Sequence, residues 1–498
     1  MLLQHGLHDF PLHANPPAVD DPHFSKPFRH RLIEIFLHDH GNFARLKRMQ
    51  VDGILDRHFM HATSIMFGLM KYFVRTYGCQ MNVADSNEMG RHLQARGIMQ
   101  TEDSDDATVL LVNTCTVRQH AEDRALSEIG RLKKWKAQKP GRKVVVTGCA
   151  AERTKEYLED RFPHVDLVVG AKSIEDFNAL VEGLLERRPE ADDLDYATPT
   201  TSDKVSAFVT IMRGCNYSCT YCIVPYVRGR ESYHPMEQVL AEVSDRVREG
   251  AREITLLGQT VNSYHRDGTR GKGTDFADLL EAVGAVQGVE RVRFISPHPY
   301  YMTDRVIQAM ADVPQVCEGL HLPVQSGSTT MLKKMQRNYT REGYLELIRK
   351  LRQAMPEMTI STDLIVGFPG ETEADFRETL SLVEEVGFDF GFVFKYSPRA
   401  GTPAAELEGF PEKLIEERHE ECLELMEGIA AKKRERWTGT VQEVLIEEEG
   451  VGRTRGNARV AVQGNARVGQ TVRVLIAPVE KSTFEGAILQ GNPAKSND

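Results

Sequence analysis

Residues Arg213–Cys222 read RGCNYSCTYC, which places three cysteines within eight residues at the spacing C-x3-C-x2-C. We call Cys215, Cys219 and Cys222 the loop triad. A tight turn with this spacing can direct three thiolates at one four-iron cluster and leave its fourth iron open to a substrate. Zinc is the competing interpretation, but it prefers four ligands, and the chain has no second C-x2-C pair. CTYC alone could also be a redox dithiol.

The loop triad follows the first of six apolar runs that alternate with amphipathic helical patterns. The runs are AFVTIMRG, EITLLG, RVRFIS, EGLHLPVQ, MTISTDLIVG and GFVFKYS. The helical patterns lie near residues 235–249, 274–286, 303–311, 340–354 and 371–386. This alternation predicts a (βα)6 barrel or partial barrel over residues 205–436, with its chemistry at the carboxyl ends of the strands.

Three further apolar runs, upstream of the barrel, each end in a cysteine. They are KYFVRTYGC, TVLLVNTC and KVVVTGC, and we call Cys79, Cys115 and Cys149 the strand-end triad. The intervals match one βαβ unit, so right-handed crossovers would bring the thiols to one edge of a parallel sheet. Three thiolates can hold a cluster with one open iron, although buried structural cysteines are the alternative. The next run, VDLVVG, ends at Gly170 without a ligand. An N-terminal parallel-sheet α/β domain is predicted over residues 69–190.

The two ends of the chain differ from this core. Residues 1–68 hold nine of the 17 histidines without ligand spacing, which predicts a disordered extension rather than a metal-binding tail, and translation could start at Met66 or Met70. A linker is predicted near residues 184–204 and one long charged helix over residues 411–437. Alternating runs over residues 437–498 are typical of a small β-barrel.

Composition limits the possible functions. The net charge of -10 with 27% charged residues is ordinary for a globular protein, so any nucleic-acid contact must be local. No signal peptide or membrane span is visible, which predicts a cytoplasmic protein. In that compartment thiols stay reduced, so the eight cysteines indicate metal binding, catalysis or burial. Cys317 and Cys422 match neither triad and are predicted to be structural.

Whole segments of the chain resemble the methylthiotransferase family of radical S-adenosylmethionine (SAM) enzymes. These segments are TYGCQMNVADSNEMG, VNTCTVRQHAEDR, RGCNYSCTYCIVPYVRGRE, SPHPYYMTD, HLPVQSGS and TDLIVGFPGETEADF. The resemblance covers nearly everything from Lys71 to the C-terminus. YGCQMN and NTCTVR favour the branch that acts on N6-(dimethylallyl)adenosine at position 37 of tRNA.

The resemblance implies two [4Fe-4S] clusters, one on the loop triad, where SAM binds, and an auxiliary one on the strand-end triad. It implies that Tyr221 contacts the adenine of SAM. Turns after the barrel strands would hold polar parts of SAM through Gln259, Asn262, Ser326, Ser328, Thr362 and Asp363. Residues 437–498 resemble the TRAM domain, an RNA-binding module. Its best RNA contacts would lie in GRTRGN, at Arg453, Arg455 and Asn457, with a plain solvated turn as the alternative.

The implied reaction is insertion of a methylthio group at C2 of the prenylated adenine. SAM cleavage at the loop triad would supply a 5′-deoxyadenosyl radical, and the strand-end triad would supply the sulfur, methylated by a second SAM. The implied partners are a tRNA anticodon stem-loop, an electron donor of the flavodoxin or ferredoxin type, and an iron–sulfur or sulfur carrier protein, with the enzyme a monomer.

Two alternatives stay open. A sister methylthiotransferase would act on threonylcarbamoyladenosine in tRNA or on an aspartate of a ribosomal protein. A noncatalytic iron–sulfur or zinc protein would only bind RNA. One departure from the family pattern is RGRESYHP, where Ser232, Tyr233 and His234 replace part of a basic run, which weakens the expectation of phosphate contacts there.

Overall fold

The computed structural model describes residues 70–185, 205–264, 275–478 and 483–489. These described residues belong to one compact unit. The predictions made for residues 1–68 lie outside the described residues, as does nearly all of the predicted linker. No helix in the described ranges is long and apolar enough to cross a membrane.

A parallel sheet opens the described chain, in the strand order β2-β1-β3-β4-β5. Its strands are β1 (Lys71–Thr76), β2 (Met99–Gln100), β3 (Val109–Thr114), β4 (Lys143–Gly148) and β5 (Leu167–Gly170). Its helices are α1 (Gln80–Gln94), α2 (Gln119–Gln138), α3 (Cys149–Arg153), α4 (Lys155–Arg161) and α5 (Phe177–Leu185). Every residue of β3 is buried, as expected for a central parallel strand covered by helices on both faces. The predicted N-terminal α/β fold is therefore confirmed.

Six parallel strands then form a partial barrel in two halves, β6-β9-β10 and β11-β12-β13. They are β6 (Ser206–Thr210), β9 (Glu253–Leu257), β10 (Arg291–Phe294), β11 (Gly319–His321), β12 (Thr359–Val366) and β13 (Phe390–Lys395). Within the part of the chain that the structure describes, a parallel bridge from Val292 to Val316 joins the two halves. All six predicted strands are present in chain order.

Helices lie between and after the strands of the partial barrel along the chain. They are α6 (Val224–Arg228), α7 (Met236–Arg248), α8 (Phe276–Gly284), α9 (Asp304–Asp312), α10 (Thr329–Lys334), α11 (Arg341–Ala354), α12 (Glu373–Val386) and α13 (Glu412–Glu435). Several begin at side-chain caps that satisfy free backbone N–H groups: Asp275 caps α8, Thr340 caps α11 and Thr372 caps α12. The five predicted helical patterns correspond to α7, α8, α9, α11 and α12.

A short antiparallel pair of strands flanks the loop that carries the loop triad. Strands β7 (Met212–Arg213) and β8 (Ser232–Tyr233) pair with each other, and the Tyr233 hydroxyl donates to Glu231 at 2.6 Å. Ser232 and Tyr233, two of the three positions at which the chain departs from the family's basic run, therefore form one strand of this pair. Cys317 and Cys422 are both buried, and their structural role stays a prediction.

The C-terminal strands close into a small barrel in the order β14-β15-β16-β18-β17, which confirms the predicted architecture. They are β14 (Val441–Glu448), β15 (Val451–Thr454), β16 (Arg459–Gln463), β17 (Thr471–Ile476) and β18 (Phe484–Ile488). Inward apolar side chains alternate with exposed ones, and Trp437 packs against Phe484 inside the barrel.

The GRTRGN turn packs against the partial barrel, at the amino ends of its strands. Arg455 donates to both carboxylate oxygens of Glu318, at 2.7 and 2.9 Å, and to the carbonyls of Pro314 and Val316. Arg291 and Arg293 donate in return to the Arg453, Thr454 and Arg455 carbonyls. The chemistry of such barrels lies at the opposite, carboxyl ends. This turn therefore joins the two barrels.

Arg453 and Asn457 lie at the edge of the same contact. The Arg453 guanidinium donates to Glu447 and to Asn457, and Asn457 adopts a left-handed φ of 69°. An RNA contact by Arg453, Arg455 or Asn457 stays a prediction. The guanidinium groups of both arginines are engaged within the protein.

Arg455→Ala is expected to destabilise the chain, because it removes the bidentate pair with Glu318. A double-mutant cycle with Glu318→Ala should give a coupling of about 0.5–3 kcal/mol in chemical unfolding. Arg459→Ala is the matched control, since Arg459 forms an exposed pair with Glu448 at 3.4 Å and should change stability by less than about 0.5 kcal/mol. Equal effects of Arg455→Ala and Arg459→Ala would contradict a joining role for the turn.

Candidate functional site

The loop triad lies between β7 and α6, at the carboxyl end of the first barrel strand. Gly214 has φ +75°, and a Cβ atom there would collide with the Arg230 carbonyl, so the loop needs glycine at this position. The Cys215 N–H donates to the Gly229 carbonyl at 3.1 Å, and the Cys222 N–H donates to the Cys219 carbonyl at 3.0 Å. These bonds close the loop and hold its three cysteines around one cavity.

Burial dominates the electrostatics of the loop triad. It raises the pKa of Cys222 to about 12, and the neighbouring Cys219 and Cys215 thiols add to the shift. Burial also raises the pKa of Cys215, opposed by hydrogen bonds from the Tyr217 N–H and the Thr260 hydroxyl. Thiols with raised pKa values stay protonated until a metal displaces the proton. Three mutually interacting thiols therefore form a donor set that fits an iron–sulfur cluster.

The cavity at the loop triad has a volume of about 670 Å³. All three cysteines line it, together with Tyr217, Arg230, Glu231 and Gln336. Arg337 donates from Nη1 to Cys219 Sγ at 3.3 Å, and its own hydrogen bond to Tyr339 holds the guanidinium in place. Sequence reasoning missed Arg337, because nothing in the sequence relates it to a loop more than 100 residues earlier.

The strand-end triad meets at one edge of the N-terminal sheet. Cys79 is the N-cap residue of α1, Cys115 directly follows β3, and Cys149 begins α3 directly after β4. Thr114 pairs in register with Gly148, so the cysteines that follow them leave the sheet side by side. Burial raises the pKa of Cys149 to about 11, and the Cys115 and Cys79 thiols contribute to the same shift. The predicted convergence of these thiols is thus present in the structure.

Glycines permit this convergence. A Cβ atom at Gly78 would lie 2.7 Å from Cys115 Cβ, and one at Gly148 would collide with the Thr114 carbonyl. A Cβ atom at Gly170, where β5 ends, would collide with the Glu152 carboxylate. The strand-end triad is therefore a three-thiol donor set.

The three thiols of each triad do not converge on a site for a single metal ion. Among residues 70–185, 205–264, 275–478 and 483–489, no three cysteine, histidine, aspartate or glutamate side chains stand close enough to hold a metal ion. A four-iron cluster takes one thiolate per iron, so its ligands need not converge on one atom. Each triad fits such a cluster by the chemistry of its donors.

Three of the predicted SAM contacts have side chains suited to a ligand. Both side-chain polar atoms of Gln259 are buried and have no hydrogen-bond partner among the described residues, which is costly unless a ligand supplies one. Asp363 faces the barrel interior, where its carboxylate lies 3.3 Å from His321 Nε2. Tyr221 packs edge-on against Phe368 beside the loop triad.

The other predicted SAM contacts form hydrogen bonds within the protein. Ser328 donates to Asp375 at 2.5 Å, and Ser326 lies 3.3 Å from the Thr379 hydroxyl, so both serines hold the turn after β11 against α12. The Thr362 hydroxyl donates to the Leu322 carbonyl at 3.0 Å. The Asn262 amide exchanges two hydrogen bonds with the backbone of His298. SAM contacts by these four residues stay predictions.

A partial barrel of six parallel strands with a cysteine triad after its first strand defines the radical SAM class of enzymes. Residues 209–383 match the radical SAM superfamily, and residues 71–170 match the family described as uncharacterized protein family UPF0004. A solved structure with this fold is the radical SAM methyltransferase TsrM from Kitasatospora setae, with cobalamin and a [4Fe-4S] cluster bound. It has a TM-score of 0.50 at 14% identity and covers 68% of this chain and 77% of that chain.

Full-length relatives identify the family. The chain is 43% identical over 416 residues to tRNA-2-methylthio-N(6)-dimethylallyladenosine synthase of Clostridium botulinum, covering 81% of this chain and 91% of the relative. The enzyme of the same name from Carboxydothermus hydrogenoformans is 41% identical over 437 residues, covering 84% and 99%. The chain therefore belongs to the tRNA-2-methylthio-N(6)-dimethylallyladenosine synthase family. As a radical SAM enzyme it uses SAM and iron–sulfur chemistry.

Proposed function

We propose that this enzyme inserts a methylthio group at C2 of N6-(dimethylallyl)adenosine at position 37 of tRNA. The observation that carries the proposal is the presence of two three-cysteine donor sets within one compact unit whose sequence is more than 40% identical to synthases of that name. One donor set suits SAM cleavage and the other suits sulfur donation. A protein that only bound RNA would need neither arrangement.

The loop triad forms the SAM site in this proposal. A cluster with one open iron would supply the electron that cleaves SAM. The cavity of about 670 Å³ is within the range that holds cofactors. Arg337 donates a hydrogen bond to Cys219, and Gln259 offers a buried amide to the polar end of SAM. Tyr221 and Asp363 complete the proposed contacts.

The strand-end triad forms the auxiliary site. A second [4Fe-4S] cluster there would present its open iron to sulfur. Cys79 is exposed whereas Cys115 and Cys149 are buried, so the site is reached from the side of Cys79. Strand β5 ends at Gly170 with no cysteine after it, which supports a cluster held by three thiolates only.

The barrel interior offers an apolar wall for the prenyl group. Phe392 and Phe394 on β13 lie on one strand face, toward its carboxyl end, and their rings stack 6.0 Å apart. Gly391, the residue before Phe392, faces the opposite way, toward Met426 of α13, so both rings face the barrel interior. An adenine splayed out of the anticodon loop could bury its dimethylallyl tail here, at about 25 cal/mol per Å².

The remaining parts of the proposal concern partners. The tRNA anticodon stem-loop is the substrate, a flavodoxin or ferredoxin type of protein is the electron donor, and an iron–sulfur or sulfur carrier protein replenishes the auxiliary site. The enzyme acts in the cytoplasm as a monomer.

A reconstituted assay tests the substrate. The protein is incubated anaerobically with SAM, reductant and one of three anticodon stem-loops, which carry unmodified adenosine, N6-dimethylallyladenosine or threonylcarbamoyladenosine at position 37. Methylthiolation of only the prenylated stem-loop is the expected result. Phe392→Ala should reduce the preference over unmodified adenosine by about tenfold, which corresponds to about 1.4 kcal/mol of lost apolar contact. Product from only the threonylcarbamoyl stem-loop would move the enzyme to the sister branch.

A further inference from the structure

A buried ion-pair network lies between the two triads. Asp85, on α1, is fully buried, and its two carboxylate oxygens accept from two different arginines. Arg213 donates to Oδ1 at 2.6 Å, and Arg228 donates to Oδ2 at 2.8 Å. Arg213 also donates to Glu88, one turn further along α1, at 2.5 Å. Both arginines are themselves buried.

The network connects the elements that carry the cysteines. Helix α1 begins directly after Cys79, whereas Arg213 stands two residues before Cys215 and Arg228 ends the helix that follows Cys222. An apolar contact runs beside it, because Cys149 packs with Ile223 and Val227. Any shift of α1 relative to α6 would therefore move one triad relative to the other.

The same network brings a guanidinium to the segment that packs against the strand-end triad. Arg228 directly follows Val227, which packs with Cys149. The Arg228 guanidinium is held there by its hydrogen bond to the buried Asp85 carboxylate. Burying such a network costs desolvation free energy that hydrophobic residues would not cost, so stability alone explains it poorly.

We propose that Asp85, Arg213 and Arg228 are positioning residues that fix the two triads relative to each other, and that Arg228 also holds a positive charge beside the strand-end triad. The inference rests on the proposed function, since it needs an iron–sulfur site at each triad. The SAM-derived radical and the sulfur donor must meet the same adenine carbon, so their separation must be set within about 1 Å for efficient transfer.

Arg228→Gln and Arg228→Lys test the two parts of the proposal separately. The full-length protein is reconstituted anaerobically, and the midpoint potential of each cluster is measured by redox titration followed by electron paramagnetic resonance. Loss of a positive charge makes reduction less favourable, so Arg228→Gln should lower the potential of the auxiliary cluster and leave that of the SAM cluster unchanged. Arg228→Lys should keep the auxiliary potential near the wild-type value.

The ratio of methylthiolated tRNA to 5′-deoxyadenosine tests the positioning part. Lysine cannot reproduce the fixed guanidinium geometry, so both Arg228→Lys and Asp85→Asn should lower this ratio, by up to about 10²-fold, while SAM cleavage continues. If Asp85→Asn fails to fold, the product ratio of Arg228→Lys alone tests the positioning part. Wild-type ratios and potentials in the Arg228 variants would overturn the proposal.

Arg418→Gln is the matched control. Arg418 is a buried arginine on helix α13, and it pairs with Glu371 at 2.8 Å. Loss of the Arg418 guanidinium should destabilise the chain without changing the midpoint potential of either cluster. If Arg418→Gln lowered the auxiliary potential as much as Arg228→Gln does, the proposal would also be overturned. A wild-type protein with about four irons instead of about eight would refute the second cluster itself. The iron content of the wild type thus tests the proposed function separately from the Arg228 variants, which test only the positioning network.

Discussion

Simultaneous replacement of Cys215, Cys219 and Cys222 with alanine is expected to halve the iron of the reconstituted protein and to abolish SAM cleavage. The wild-type protein should hold about eight irons, four at each triad, and the variant about four. The reason is that the three thiols line the cavity at the mouth of the barrel and supply its whole set of cysteine ligands. Iron analysis and measurement of 5′-deoxyadenosine under reductant check both parts.

Cys317 and Cys422 provide the matched control for this variant. Both are buried cysteines outside the two triads, and Cys422 packs in the barrel core. Replacing both with alanine should leave the iron content and SAM cleavage at wild-type values. An undiminished iron content in the loop-triad variant, or stoichiometric zinc in the wild type, would contradict the assignment.

Replacement of Cys79, Cys115 and Cys149 with alanine is expected to remove methylthio product while SAM cleavage continues. The two triads lie on different sheets, and the strand-end triad contacts the loop-triad region through apolar packing of Cys149 against Ile223 and Val227. Alanine keeps most of that packing and removes the sulfur. About four irons should remain, together with formation of 5′-deoxyadenosine.

The measurement pairs both products in one reaction. Anaerobic incubation with SAM, reductant and prenylated tRNA is followed by quantification of 5′-deoxyadenosine and of the methylthiolated nucleoside. Product at the wild-type level would mean that sulfur does not come from the strand-end triad. Loss of SAM cleavage as well would mean that the two sites are not independent.

Local patterns predicted most of the fold. The six barrel strands, the helices between them and the convergence of Cys79, Cys115 and Cys149 all follow from apolar periodicity and from the length of a βαβ unit. These signals are visible because each lies within one element or between neighbouring elements. Their physical cause is the alternation of buried and exposed positions, which the sequence displays directly.

Long-range polar pairing was not predictable in the same way. Arg213 and Asp85 are 128 residues apart, and no periodicity relates them. Arg455 was predicted to contact RNA because it lies in a basic turn, yet its guanidinium binds Glu318, 137 residues away. Composition indicates that an arginine is available, whereas only the fold determines which carboxylate lies within its reach.

The same limit applies to the turns near the SAM site. Ser326, Ser328 and Thr362 were predicted to contact SAM because they follow barrel strands, where ligands bind. The structure engages their hydroxyls with α12 and with the backbone near β11, because buried hydroxyls need a partner. Gln259, from the same reasoning, keeps a free buried amide. Position after a strand therefore indicates a region of the fold but not which of its polar side chains are free to bind a ligand.

The docking of the small barrel affects how RNA binding should be tested. Deleting residues 437–498 would leave Arg291 without the Arg453 carbonyl and the Glu443 carboxylate that it binds. Truncation would therefore disturb the catalytic barrel as well as any RNA surface. Substitutions at exposed positions such as Arg459 and Arg473 avoid this effect.

Mass spectrometry of tRNA nucleosides tests the central claim most directly. A host that lacks its own synthase but still prenylates adenosine 37 is complemented with this gene, and a variant without the loop triad serves as the control. The proposal predicts that 2-methylthio-N6-isopentenyladenosine reappears with the intact gene and stays absent with the variant. Appearance of methylthio-threonylcarbamoyladenosine instead, or of a modified ribosomal protein with unchanged tRNA, would contradict it.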